Sequence, residues 1–238
     1  LICPSESVTQ GPWRMNNSNA KSWTNYRGNF GGPPSVTAFS GTIVPMRNDS
    51  QGTPNGYPAN SAYNNNCGII SLASVTDGTS STAVVSERLA GVYTAGLTQI
   101  TPGSIQARRV MFQTPVTVNL NSGNGAQALQ FTQQCQNLPG TTPPLSPSWS
   151  GACWAGGHTG TFEFNGYSHV IPPNGNSCGA APPGSGVDGI TATSNHSGGV
   201  NLAFLDGSVH FIKSTVAPNI WWALGTRSQG EVISSDAY

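Results

Sequence analysis

Charge is what this sequence has least of. Nine basic and nine acidic side chains among 238 residues make up 8% of the chain and cancel to a formal net charge of zero, where a soluble domain usually carries about a quarter. A chain so balanced has no cationic footprint for phosphates, which excludes a nucleic-acid partner. No apolar run reaches the roughly 18 residues of a membrane-spanning helix. The five cysteines, Cys3, Cys67, Cys135, Cys153 and Cys178, form no CxxC pair, so a zinc site is not expected. Widely spaced cysteines in a secreted domain point to disulfides, and an odd count leaves at least one thiol free or bonded elsewhere. There is no GxSxG elbow, no spaced D-x-D-x-D loop and no internal repeat. No signal peptide is visible, and an opening at Leu1 rather than Met reads as a processed or trimmed product.

Turn formers are abundant, with 30 glycines and 18 prolines. They predict short strands and long loops in one domain over 1–238. The clearest local signal lies at 195–231. Two apolar runs, 200–205 and 208–212, flank Asp206-Gly207, the dipeptide of a two-residue type I′ hairpin. That turn would place Leu202, Phe204, Val209 and Phe211 on one buried face. Asn201, Ala203, Ser208 and His210, with Leu205 and Ile212, would form a mixed, partly covered face. Pro218 at a first helical position and Gly225 as a stop bracket a short helix. A longer helix is expected over 125–136, with Ala126, Leu129 and Gln133 at helical spacing. Strands are expected at 22–26, 69–75, 83–86, 109–113 and 116–120, and Asp77-Gly78 should begin a turn, with Asp77 a candidate cap for a helical turn over 79–82. The stretch 139–195 is a Pro/Gly/Ser-rich excursion long enough to be functional or stapled.

Several of these segments recur in one order in a known family. His196, nine intervening residues and Asp206-Gly207 make an H-X9-DG pattern, followed by WALGTRSQGEVIS at 222–234. Upstream stand LICPSE at 1–6, TNYRGNF at 24–30, VTDGTSST at 75–82 leading to Glu87-Arg88, and YSHVIPPN at 167–174 followed by Cys178. The chain resembles the prepilin-type, H-X9-DG family (DUF1559) of planctomycete-type bacteria over nearly its whole length. The resemblance implies an α+β, pilin-like globular head, mainly antiparallel sheet, that lacks the family's leader and N-terminal apolar helix. It implies a Cys135–Cys178 disulfide, and leaves Cys3 as the candidate unpaired thiol, where the missing helix would join. It further implies a structural subunit of an extracellular or cell-surface filament, or a pseudopilin of a type II secretion machine, with the periplasm as another location. The expected partners are other copies or related pilin-like subunits, with membrane contact only through the missing helix.

His196 and Asp206 invite a catalytic reading, but Asp206 and Gly207 are already required by turn geometry and His196 by the loop before it. Glu87, Glu163, Asp188, Asp206 and Glu231 are scattered, so a glycosidase pair does not emerge; Glu87 with Arg88 and Glu231 with Arg227 read as ion pairs. No cofactor is expected. If any ion binds, calcium at Asp77, Asp188, Asn174 and Asn195 is the candidate, against their simpler use in turns. Trp13, Trp149, Trp154, Trp221 and Trp222 serve either as core and subunit interface or as a sugar-binding surface. Trp221, Trp222, Leu205 and Ile212 are the interface candidates. A binding module that uses the 139–195 loop is the alternative function, and a hydrolase the third. An apolar groove is expected at Ala203, Leu205 and Ile212, or at 69–72 and 83–85.

Overall fold

The computed structural model describes residues 1–7, 23–33, 40–44, 69–92, 100–113, 125–145, 150–151, 166–179 and 189–238. These form a small α+β protein with two helices and two mixed sheets. The expectations for 116–120, Cys67, Cys153, Glu163, Asp188, Trp13, Trp149 and Trp154 lie outside the described residues.

The larger sheet joins β1 (Tyr26–Asn29), β2 (Ala83–Glu87), β5 (Gly166–Tyr167), β7 (Gly199–Phe204) and β8 (Val209–Lys213) in the order β5-β1-β2-β7-β8. The smaller has β4 (Pro144–Leu145), β3 (Met111–Gln113) and β6 (Ser177–Gly179). Helix α2 (Pro218–Gly225) lays Trp221 and Leu224 against Ala83, Tyr167, Val200, Leu202, Phe204 and Ile212, closing the inner face of the large sheet. Helix α1 (Gly125–Gln136) packs Ala128, Phe131 and Cys135 on Phe112, Val170, Ile171 and Cys178. Its buried face, with Thr132, follows the i, i+3, i+4, i+7 rule of a one-sided helix. The Ala126–Leu129–Gln133 stripe does not: Leu129 is exposed, because the Phe131 and Cys135 row is the bulkier one.

The hairpin departs from the two-residue turn. Val200 pairs with Ile212, Asn201 with Phe211, Leu202 with His210 and Ala203 with Val209. Phe204 N donates to Ser208 O at 2.9 Å and Gly207 N to Phe204 O at 3.0 Å. The loop is therefore Leu205-Asp206-Gly207, and only its Gly207 has positive φ, 87°, as in a turn closed by a glycine bulge. Paired residues share a face, so this one-residue slip reverses every side chain of β8. Ile212, rather than Val209 or Phe211, joins Leu202 and Phe204 in the core, while Val209 and Phe211 stand 64% and 45% exposed. Asp206 Oδ1 accepts from the Ser208 amide and hydroxyl at 2.9 and 2.7 Å. Those hydrogen bonds hold its carboxyl below the usual range. A Cβ on Gly207 would meet nothing within 4 Å, so Gly207→Val is penalised only by its backbone. The expected loss is about 1–3 kcal/mol; an unchanged melting curve would contradict the positive-φ turn.

Three other strand expectations are corrected. The strand predicted at 22–26 starts only at Tyr26, after Trp23 and Thr24 have turned into the protein. The 69–75 run is no strand; it contains a 3-10 turn, Leu72–Ser74, with Ile69 and Leu72 exposed and no strand pairing among the described residues. The 109–113 strand begins at Met111, since Gln106–Arg109 form another 3-10 turn. Asp77 caps no helical turn: its two oxygens accept from the amides of Gln229 and Gly230 at 2.8 and 2.7 Å, tying two loops together.

Cys135 and Cys178 are bonded, with Cα atoms 6.0 Å apart across 43 residues of sequence. The bridge fastens α1 to β6. A closed loop of this size is worth about 4 kcal/mol in the chain-entropy description. The double variant Cys135→Ser, Cys178→Ser is expected to lose about that much in a denaturant titration; a loss under about 1 kcal/mol would show that the bridge constrains little.

Two polar contacts are built into the interior. Arg109 pairs with Glu6, each side chain 1% exposed. Arg109 Nη1 also donates to Ala90 O at 3.0 Å, and Glu6 Oε2 accepts from Asn25 Nδ2 and Ala90 N at 2.8 and 3.2 Å. The other centres on His169, fully buried and stacked on Trp221 with ring centroids 3.9 Å apart. Its Nδ1 lies 2.7 Å from Trp221 O and so donates; Nε2, 2.9 Å from Tyr167 Oη, accepts. Gly225 is required beneath this ring, since a Cβ there would come within 2.4 Å of it.

Candidate functional site

Pleating turns alternate residues of the large sheet outward, away from α2. Two cross-strand rows result. In the first, Gly28 lies beside Val85, Val85 beside Ala203 and Ala203 beside Val209. Ile43 fills the space over Gly28, since a Cβ on that glycine would meet Ile43 Cγ1 at 2.5 Å. This row is wholly apolar and ends on exposed Val209. In the second row Tyr26 faces Glu87, Glu87 accepts from Asn201 N at 2.9 Å and from Asn201 Nδ2 at 3.1 Å, and Asn201 faces Phe211.

Above the second row two loops converge. Residues 3–6 make a turn in which Glu6 N donates to Cys3 O at 2.9 Å, and Asn25 Oδ1 accepts from Cys3 N at 2.9 Å. The 194–198 loop is held by Ser194 Oγ, which accepts from His196 N at 3.0 Å, and by Asn195 Nδ2, which donates to Ser5 O at 2.8 Å. Cys3 Sγ, Glu87 Oε1 and His196 Nε2 thereby meet: sulfur to carboxylate 3.5 Å, sulfur to imidazole 3.9 Å, imidazole to carboxylate 3.1 Å. Ser5 Oγ lies 3.1 Å from the sulfur. Cys3 is a free, buried thiol, the Glu87 side chain is 6% exposed, and the His196 ring is 37% exposed. The Tyr26 hydroxyl borders the cluster; burial first, then the charges of Cys3 and Glu87, push its pKa up.

The arrangement is not a nucleophile relay. In such a relay the acid holds one imidazole nitrogen and the nucleophile the other. Here thiol and carboxylate both approach Nε2.

The remaining sequence candidates are dispersed. Asp206, Gly207 and Leu205 lie at the hairpin tip. Gly78 and Asp77 lie on the loop tied to 229–230, where Glu231 accepts from the Thr226 hydroxyl at 3.1 Å; burial raises the Glu231 pKa. Arg227, read as its partner, donates to Gly41 O at 2.7 Å. Arg88 does not join Glu87, because neighbours along a strand point to opposite faces; it donates to Ser150, Ser177 and Thr191 O on the inner side. Of the calcium candidates among the described residues, Asp77 and Asn195 make the contacts given above, while Asn174 Oδ1 accepts from Ser194 N at 2.8 Å and its Nδ2 donates to Gly199 O at 3.1 Å. Trp221 and Ile212, read as interface, are fully buried; Trp222 is half-buried, with Nε1 donating to Val170 O at 2.8 Å. Of the expected groove, Ile212 and Ala83 are core, Val84, Val85, Ala203 and Leu205 are partly exposed, and Ile69 and Leu72 stand in the open; Ile43, Val209 and Phe211 add exposed apolar side chains on the outer sheet face.

What fold and site define is a small disulfide-bonded α+β protein whose sheet carries a thiol–imidazole–carboxylate cluster on its outer face. A family model described as "Protein of unknown function (DUF1559)" matches residues 1–219, and the chain belongs to that family. No curated protein and no solved structure matches it. Among the described residues, no helix is long and apolar enough to cross a membrane.

Proposed function

We propose that the chain is a non-catalytic structural subunit, the head of a pilus-like filament or pseudopilus outside the cell or at its surface, whose partners are further copies or related subunits. The observation that carries this is the outer sheet face, where Val209, 64% exposed, ends the row of Ile43, Val85 and Ala203, and Phe211, 45% exposed, ends the neighbouring row beside it. A coherent apolar face on a sheet already packed on its other side is a contact surface. Low overall charge removes like-charge repulsion between copies, and the disulfide suits an oxidising compartment. Electron microscopy of native material should show fibres, and Val209→Lys with Phe211→Lys should prevent them while shifting stability by no more than about 0.5 kcal/mol, as for surface changes generally. Monomeric single particles from the unaltered protein would refute the proposal. A glycan-array signal from such a monomer would favour a binding module instead.

A further inference from the structure

We infer that Cys3, Glu87 and His196 form a binding site for a borderline divalent metal ion, with Zn²⁺ as the natural occupant. The three donor atoms lie 3.1–3.9 Å from one another. Around tetrahedral zinc, bond lengths of about 2.0–2.3 Å to nitrogen, oxygen and sulfur place neighbouring donors about 3.4–3.6 Å apart. The cluster therefore closes around an ion with adjustments of a few tenths of an ångström, and all three donors converge on one point, as ligands do.

Charge agrees with geometry. A thiolate and a carboxylate buried side by side repel one another and lose hydration. A divalent ion leaves the site neutral, and binding transfers the thiol proton to solvent. The donor set selects the metal: thiolate with imidazole favours zinc and its transition-metal neighbours over Ca²⁺ or Mg²⁺, which require oxygen ligands. A fourth position falls to water or to the Ser5 hydroxyl, 3.1 Å from the sulfur. Outer partners hold the ligands in place: Asn201 donates to the Glu87 carboxylate through its amide and side chain, and Asn25 fixes the Cys3 backbone. The half-exposed His196 ring is the entry path. The ligands come from the amino-terminal turn, the end of β2 and the loop before β7, so an ion here would lock three separate segments onto one sheet face.

The test uses the whole 238-residue chain and two probes. Zn²⁺ affinity is measured by competition with a chromophoric chelator, and Co²⁺ is added as a spectroscopic substitute. One equivalent of Zn²⁺ should bind, Ca²⁺ should not compete, and the Co²⁺ form should show a near-ultraviolet thiolate-to-metal charge-transfer band. Cys3→Ser should abolish that band. Cys3→Ser and His196→Gln should each weaken Zn²⁺ at least about 100-fold, the upper range of losing even an outer-shell partner. His196→Gln alters a partly exposed ring, so its fold survives and the test stands even if Cys3→Ser does not fold. Absence of the band in the unaltered protein, or Zn²⁺ affinity unchanged in His196→Gln, would overturn the inference.

Discussion

Arg109→Met is expected to destabilise the protein by about 3–5 kcal/mol, the usual result of removing one partner from a buried ion pair. Methionine fills much of the arginine volume, so a cavity contributes little. The damage is electrostatic: Glu6, its side chain 1% exposed, keeps its bonds from Asn25 and Ala90 but loses the Arg109 guanidinium. A Glu6→Gln, Arg109→Met double variant removes both charges and should recover part of the loss, and a thermodynamic cycle over the four proteins measures the coupling. A single variant within about 1 kcal/mol of the parent would show that the pair is hydrated in solution. The effect extends beyond the pair, because Glu6 sits in the turn that also positions Cys3.

The protein should also be acid-labile, for a reason located at His169. Burial lowers its pKa from 6.5 to about 3, against the opposing effect of its hydrogen bond to the Trp221 carbonyl. The neighbours that face the ring are the Tyr167 phenol, itself kept neutral by burial, the Trp221 indole and carbonyl, and Gly225. The direction follows from linkage. Above pH 6.5 the imidazole is neutral in both folded and unfolded chains, and its contribution is constant. Between 6.5 and about 3 only the unfolded chain takes up the proton, so stability falls as pH falls. At about 1.4 kcal/mol per pH unit, the full displacement is on the order of 5 kcal/mol. Denaturant titrations from pH 7 to pH 4 should show this slope, and His169→Phe, which cannot titrate, should show a shallower one. Equal slopes would mean that His169 is protonated inside the native fold.

Local chemistry was legible in the sequence wherever local rules decide the outcome. Pro218 and Gly225 bracket α2, 83–86 lies within β2, 125–136 is α1, and the α+β class stands. The hairpin shows where legibility stops. Asp206-Gly207 marks the turn, but whether two or three residues form it depends on which β8 face can fill the core. Ile212 beneath Trp221 and Val200 won over Val209 and Phe211. Strands of two or three residues, such as β5 and β6, carry no periodicity to read and exist only because a partner strand lies beside them. The thiol–imidazole–carboxylate cluster was invisible for a related reason. Cysteine spacing finds sites built from paired cysteines, whereas here one cysteine meets Glu87 and His196 across 84 and 193 positions. The signals that might have found it were the three separate family motifs to which those residues belong.

The strand order also fixes a timetable. β7 lies inside the large sheet, between β2 and β8, yet among the described strands only β8 follows it in the chain. Until it emerges, β2 has only the short β1 on one side, and the pairing of Ala83 with Phe204 must close a loop of more than a hundred residues. Contacts so distant in sequence make folding slow, and a chain emerging amino-terminus first cannot complete its sheet until β7 and β8 are out. The DUF1559 domain therefore matures late, and while it waits, the edges of β2 and the apolar side chains of its inner face stay open to whatever assists or intercepts them.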